Sequence, residues 1–390
     1  MPNSLDRYTQ RSLQLGLDPH AHTGHAPILV PVRGIERMRE LAAIPRQPEL
    51  AESPLTAEKM LAVEPGMARQ AVVNHIFGRK ALSADALAAA EQRFPFMPLH
   101  VYQSTDREVT ATNPLRITKN SSLTNFGTVT IKDGGFIDIS VDCHFVCDTL
   151  IKIPGGDSPA THDLTVHGVD GDNGATPPTQ PQASNGQDSS GAACDCCGGS
   201  VAHNAAVGGD GKPGLNGASG FDGTAGRNGP TVYVSIGKLV GTLTVSARGG
   251  NGGSGGHGAA GQQGGNGGKG GDGTTCGAFQ PDGANGGPGG KGGDGGASGS
   301  GKNAGNGGFL SIKYVPDSSS SMLIVTNGVG VGGNKGTPGA GGAGGNGGAG
   351  GSHGGAQGAP GGIGSVGSDI GIDGTDGLKG QVLVNNEPVN

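Results

Sequence analysis

Apolar and polar positions along this chain follow three successive patterns. Residues 1–52 are rich in proline and charge, carry one short apolar run from Ile28 to Val32, and predict an extended N-terminal arm. Residues 53–93 predict helix. Ser53-Pro54 reads as an N-cap followed by proline in the first turn. A Met/Ala/Val/Ile pattern then runs from Met67 to Phe77 until Gly78 ends it, and Ser83 can cap a further helix through Gln92 that stops before Pro95. Residues 53–100 are therefore expected as a small helical module. From Val101 the period becomes two. Leu115–Thr118, Thr128–Ile131, Phe136–Val141 and Thr149–Ile153 are short runs rich in β-branched residues, separated by Asn125, Asp133-Gly134-Gly135 and Pro154-Gly155-Gly156. Such spacing over 101–163 predicts the coils of a β-solenoid, or a small sandwich.

An internal repeat begins at Leu164. Leu164-Thr-Val-His-Gly aligns with Leu243-Thr-Val-Ser-Ala and with Leu323-Ile-Val-Thr-Asn, at offsets of 79 and 80. Each unit also closes alike, with Asn228-Gly-Pro-Thr-Val-Tyr-Val, Asn306-Gly-Gly-Phe-Leu-Ser-Ile and Lys379-Gly-Gln-Val-Leu-Val. Residues 164–390 are thus expected as three tandem repeats, 164–242, 243–322 and 323–390. Their boundary strands should stack with those of 115–153. Val166, Val245 and Val325 are expected at equivalent buried positions, as are Val232, Leu310 and Leu383.

Between entry and exit, glycine falls on every third residue. One frame runs unbroken from Gly208 to Gly229, and others run 249–273, 283–295, 330–354, 355–367 and 371–380. A PPII-type helix has three residues per turn, so each frame becomes an edge without side chains; 24 residues would reach about 75 Å. Neighbouring helices can then bond laterally, because this helix has no internal hydrogen bonds. Where glycine occupies two frames at once, two edges are bare, and such limbs belong inside a bundle. Gly265, Gly268, Gly271, Gly287, Gly290, Gly293, Gly342, Gly345 and Gly348 are the expected bundle-core glycines. Collagen shares the period but needs far more proline than Pro213, Pro288, Pro338 and Pro360 supply. Disorder is the competing reading of low-complexity glycine, and the matched strands at both ends of each excursion argue for order. The fold class expected is mostly β and irregular: a β-solenoid-like stack of short strands with three long polyglycine II excursions forming a bundle, plus a small α-helical N-terminal region.

The runs GGNGGSGG (249–256), GGNGGKGGDG (264–273) and GGPGGKGGDGGASG (286–299) resemble two groups of polyglycine II bundle proteins. One is the snow-flea antifreeze proteins, and the other is the glycine-rich tip adhesins of tailed-phage long tail fibres. The resemblance covers roughly 171–380 and is one of pattern. It implies a stack of polyglycine II helices, with a receptor-binding set of end loops in the adhesins or a flat ice-binding face in the antifreeze proteins.

Composition narrows the function classes. Of 83 glycines, eight precede residue 141. There is no Trp, and the formal charge of −6 comes without a basic patch interleaved with aromatics, so nucleic acid is not an expected partner. No run of 18 apolar residues predicts a membrane span, and the N-terminus has no signal-peptide-like apolar run. An extracellular or particle-associated location is expected, a cytoplasmic one being the alternative. His20, His22 and His25 lie in the arm, and Cys194, Cys196 and Cys197 with His203 lack paired CxxC spacing; no metal and no cofactor are expected. No nucleophile–base arrangement or phosphate loop is present, so the chain reads as non-enzymatic. The functional expectation is a rigid scaffold that presents tip loops 175–207 and 274–282 to a cell-surface or particle-surface receptor, protein or glycan. Phe279, Gln280 and Asp282 are its candidate contact residues, and the N-terminal arm is available for self-assembly. An ice-binding protein and a self-assembling filament subunit are the alternatives, with a secreted toxin weaker. Cys276 sits at the turn of the second excursion and the Cys194, Cys196 and Cys197 group near the turn of the first. A bond from Cys276 to one of that group is expected in an oxidising setting, with free thiols as the alternative.

Overall fold

The computed structural model describes residues 6–24, 26–44, 52–155, 161–195, 200–389. Residues expected as an extended arm instead form α1 (Arg7–Gln14), β1 (Ile28–Arg33) and α2 (Ile35–Ala42). The Asp6 carboxylate caps α1 by accepting from the Thr9 N–H at 2.7 Å. Then come α3 (Ala57–Ala62), α4 (Pro65–Ile76) and α5 (Ala84–Arg93). Ser83 caps α5, while the cap of α3 is Thr56 rather than Ser53. Among the described residues no helix is long and apolar enough to cross a membrane.

The strands are β2 (Phe96–Val109), β3 (Leu115–Ile117), β4 (Ser122–Ile131), β5 (Ile137–Ile139), β6 (Cys143–Lys152), β7 (Leu164–His167), β8 (Ala193–Cys194), β9 (Val201–His203), β10 (Thr231–Val240), β11 (Thr242–Arg248), β12 (Phe309–Pro316), β13 (Met322–Asn327), β14 (Gln381–Val384) and β15 (Glu387–Pro388). They build an eight-stranded sheet, β1-β2-β4-β6-β10-β12-β14-β15, and a five-stranded sheet, β13-β11-β7-β5-β3. The larger sheet is parallel in its middle and antiparallel at both edges, where β1 meets β2 and β14 meets β15. Two apolar cores result. One lies between the sheets and contains Phe126, Phe145, Ile137, Val245 and Leu310. The other lies between the helices and the outer face of the large sheet, around Met38, Ile76, Phe77, Leu99 and Leu123.

This corrects the expected fold class. The protein is a mixed α/β fold built on a large multistranded sheet with few helices, and not a solenoid of short strands with polyglycine helices. Strand β2 alone spans fourteen residues, β1 extends the sheet beside it, and helices pack on one sheet face. The reason is that β2 is buried on both faces from Val101 to Ser104, which erases the period-two signal that marks a one-sided strand. The repeat register also differs from the expected one. Val245 opposes Val325, but Val166 opposes Ala247. Val232 and Leu310 align with Val382, and Leu383 opposes Ser311.

The glycine-rich stretches between these strands are assigned to neither helix nor strand. They form six limbs: 168–192, 206–229, 249–273, 283–307, 330–351 and 355–380. Their backbones bond sideways at every third residue. Gly252, Gly255 and Gly258 N–H groups, for instance, donate to the carbonyls of Val331, Asn334 and Thr337 at 2.8–2.9 Å. Limbs 168–192, 249–273 and 330–351 form one layer, and limbs 206–229, 283–307 and 355–380 form the other. Limbs 249–273 and 283–307 are the inner ones. At all nine expected core glycines an added Cβ would lie 1.9–2.3 Å from a neighbouring carbonyl oxygen, so no side chain fits there.

Candidate functional site at the end of the limbs

The limbs carry three turns to one end, far along the chain from the strands. The first is the β8–β9 hairpin, since 183–192 are still bonded to limb 249–273 and are not part of a loop. The second is 274–282, in which Cys276 and Phe279 exchange two backbone hydrogen bonds of 2.7 and 2.9 Å around Gly277 at φ 62°. The third is 352–354. The Gly273 N–H donates to Ser352 O at 3.0 Å, and the Gly283 N–H donates to His353 O at 2.8 Å, which brings the second and third turns together. A Cys194–Cys276 disulfide closes the first turn onto the second, with Cα atoms 5.4 Å apart.

Of the candidate contact residues, Phe279 is 59% exposed although Cys276 beside it is buried. Gln280 and Asp282 are also exposed. Cys196 and Cys197 lie outside the described residues, as does His25. Among the described residues no group of three or more His, Cys, Asp or Glu is placed to hold a metal ion. Cys143 and Cys147 are free thiols buried on β6, and burial pushes both well above the usual thiol range.

The outward frame of each limb holds what the sequence reading missed. Asx and hydroxyl side chains there accept the outward backbone N–H of the next limb in the same layer. Asp170, Asn173, Asn185 and Asp188 serve Asn251, Ser254, Asn266 and Lys269 in this way, at 2.6–2.9 Å. Asn266 in turn accepts from Asn346 N–H at 2.9 Å. In the other layer Asn216, Asp222 and Asn228 accept from Asp294, Ser300 and Asn306 at 2.8–2.9 Å, and Asn306 accepts from Leu378. The recurrence of Asn and Asp at every third residue was the available signal.

A second concavity lies at the sheet end, a groove of about 420 Å³ lined by Arg7, Arg11, Asp148, Ser235, Lys313 and Asn385 among others. Arg11 pairs with Asp148 at 2.9 Å. Ser235 Oγ lies 2.9 Å from His144 Nε2, while His144 Nδ1 lies 2.6 Å from Ala42 O. Nδ1 must carry the proton to donate to a carbonyl, so Nε2 accepts from the serine hydroxyl. Burial pulls the His144 pKa down to about 4, which keeps the ring neutral. This clamp ties the end of α2 to β6 and β10.

No family model and no curated protein matches the chain. Among solved structures, the springtail antifreeze protein of Granisotoma rainieri, described as a nine polyproline type II helical bundle, is 27% identical over 43% of this chain and 92% of its own. The TM-score is 0.08, so this likeness carries no argument about fold.

Proposed function

We propose that this chain is a non-enzymatic binding scaffold whose limb-end turns dock onto a surface receptor, protein or glycan. The observation that carries this reading is the convergence of three turns at one end under a disulfide, with Phe279 left exposed. Exposed aromatics cost little conformational entropy on docking and supply much of the contact energy in binding surfaces. Limbs bonded to each other at every third residue would hold such turns rigid, so binding would not have to order them. The test is binding of fluorescently labelled full chain to intact bacterial cells and to glycan-coated surfaces, beside a Phe279→Ser, Gln280→Ala variant. The expected result is saturable binding that the variant loses by at least about tenfold, the size of one aromatic anchor. Equal binding by both proteins, or no binding to any surface by the unaltered chain, overturns the proposal.

A further inference from the structure

We propose that the two long free edges of the limb bundle dock onto each other between copies of this chain, giving an open side-by-side row. This goes beyond the receptor reading and does not depend on it.

Inside the bundle, two residue frames are glycine because neighbouring limbs lie against them. Gly287, Gly290 and Gly293 face limb 206–229, where an added Cβ would meet the carbonyls of Gly209, Lys212 and Leu215 at 1.9–2.0 Å. Gly286, Gly289 and Gly292 donate to limb 355–380, and an added Cβ on them would meet the carbonyls of Gly348, Gly345 and Gly342 on limb 330–351 at 1.9–2.0 Å. The same two frames reach the outside of the layer one limb further out on either side, and there they are not glycine. On limb 206–229 the frame reads Lys212, Leu215, Ala218, Phe221, Thr224, Arg227. On limb 355–380 it reads Pro360, Ile363, Val366, then Asp369, Asp373, Asp376 across a one-residue shift at Ile370. Large side chains close both edges to another glycine-packed limb, so whatever meets them does so side chain against side chain.

The apolar members are left in water. Leu215 is 66% and Phe221 62% exposed on one edge, and Ile363 is 76% and Val366 68% exposed on the other. Backbone hydrogen bonds crossing the bundle fix their relative heights. Leu215 O accepts from Gln262, Gln262 O from Gly293, Gly293 O from Gly342, and Gly342 O from Gly364, each at 2.8–2.9 Å. Leu215 is therefore level with Ile363, the neighbour of Gly364. The parallel route from Ala218 through Ala259, Gly296 and Gly339 ends at Gly367, beside Val366. A third, from Thr224 through Gly253, Lys302 and Gly333, ends at Gly374, beside Asp373. Phe221 falls between the second and third routes, as Ile370 does. One rung beyond the third, Arg227 comes level with Asp376.

Both edge limbs run in the same direction. Translating one copy sideways, without sliding it along the limbs, thus sets Leu215, Ala218 and Phe221 against Ile363, Val366 and Ile370. The same step sets Arg227 against Asp376, with Asp373 one rung away, while Asp369 is already paired with Lys335 at 2.6 Å. The apolar rows match in height and the charges are opposite in sign, which selects a second copy as the occupant. The matched edge, about 15 residues long, spans about 47 Å at roughly 3.1 Å per residue. Two limbs deep, it can bury on the order of 600–800 Å² per copy, near the size of a standard specific contact. Because the two surfaces differ the contact is heterologous, and because the copies are related by translation without rotation the row stays open.

Sedimentation velocity of the full chain over about 1–100 μM, the weak end expected for such an area, tests this with Phe221→Lys and Ile363→Lys. Both sites are exposed, so folding should be kept, and thermal melts check it. The unaltered chain should show mass rising with concentration beyond a dimer, and each variant alone should be monomeric. An equimolar mixture of the two variants should stop at a dimer, since each keeps one intact edge and these two edges are complementary. A monomeric unaltered chain, a variant that still associates alone, or a mixture that stays monomeric overturns the proposal.

Discussion

Gly268→Val probes the close packing of the limbs most directly. An ideal Cβ at Gly268 lies 2.0 Å from Gln187 O and 2.4 Å from Gln187 C, whereas real Cβ contacts do not fall below 3.0 Å. Limb 168–192 must move away by at least 1 Å, as the difference of those distances requires. The displacement reaches the Gly186–Asn266 and Ser189–Lys269 hydrogen bonds of 2.7 and 2.9 Å. The Gly268–Gly209 and Gly287–Gly268 bonds, at 2.8 and 2.9 Å, share the strained residue. With about 1–3 kcal/mol for each buried peptide group left unpaired, losing two to four of them costs roughly 4–8 kcal/mol. That is comparable to the whole stability of a typical domain, about 5–15 kcal/mol. The control is the adjacent Lys269→Val. Its side chain is in the outward frame, and it gives up only the exposed 2.7 Å pair with Asp272, a solvent-screened contact that contributes little. Chemical denaturation with circular dichroism, and hydrogen exchange resolved by limb, measure both. Gly268→Val within about 1 kcal/mol of Lys269→Val would refute the argument, since the error of such comparisons is a few tenths.

Three further outcomes are expected. His144 has a folded pKa of about 4 against about 6.5 unfolded, so its stabilising effect is complete above pH 6.5 and is lost as pH falls to 4. The loss is up to about 3 kcal/mol, and His144→Gln should flatten the stability profile over that window; an unchanged slope counts against the clamp. Arg79→Ala strands the buried Asp142 carboxylate, 2.9 Å from the guanidinium and already pushed upward by burial, and should cost about 3–5 kcal/mol in a denaturant titration. A loss below about 1 kcal/mol would place that pair in solvent. Cys276→Ser opens a link between residues 82 apart in sequence, for which loop closure alone allows about 4.5 kcal/mol. Because the ladder between limbs 168–192 and 249–273 already holds both ends, hydrogen exchange should rise at 193–195, 200–203 and 274–282 while the limbs stay protected. Cooperative loss of the limbs would contradict that.

How far the fold could be read from the sequence depended on whether one physical cause acted at a time. α5 was legible because Ser83 and Pro95 punctuate it on both sides. β2 was not, because two-sided burial at Val101–Ser104 hides its alternation. The repeat was legible, yet its register was read two residues off at Val166. A shift of two keeps every side chain on its own face, so hydrophobic pattern alone cannot detect it. Pairing is set instead by where each strand leaves the sheet. The one-residue error at Leu383 is of another kind, since it moves a residue across faces, and Val382 is indeed the buried partner of Leu310. The candidate contact residues were legible as a scarcity, aromatics being few in the glycine-rich part. The arm at 7–42 was misread because its helices are short and owe their place to the sheet they cover.

The outward frame explains why the limbs hold together with so few apolar residues. A backbone bonded only sideways offers N–H groups in three directions, and two of them meet neighbouring carbonyls once glycine clears the approach. The third faces water unless a side chain from the adjoining limb covers it. Asn and Asp are short side chains that bring an acceptor to that position, and the Thr176 hydroxyl does the same for His257 N–H at 3.0 Å. Asn266 and Asn306 do so while their own N–H groups are covered from the previous limb. Each limb therefore passes the same task to the next, and the relay runs out at limbs 330–351 and 355–380. There the solution changes. Asp376 and Asp373 turn back to accept from Gly332 and Lys335 N–H at 2.8 and 2.7 Å. Pro338 and Pro360, having no N–H, remove the need at their positions. Asp373 and Asp376 thus cover two of the N–H groups at the last edge from within the molecule, while its apolar residues, Ile363 and Val366, stay 76% and 68% exposed.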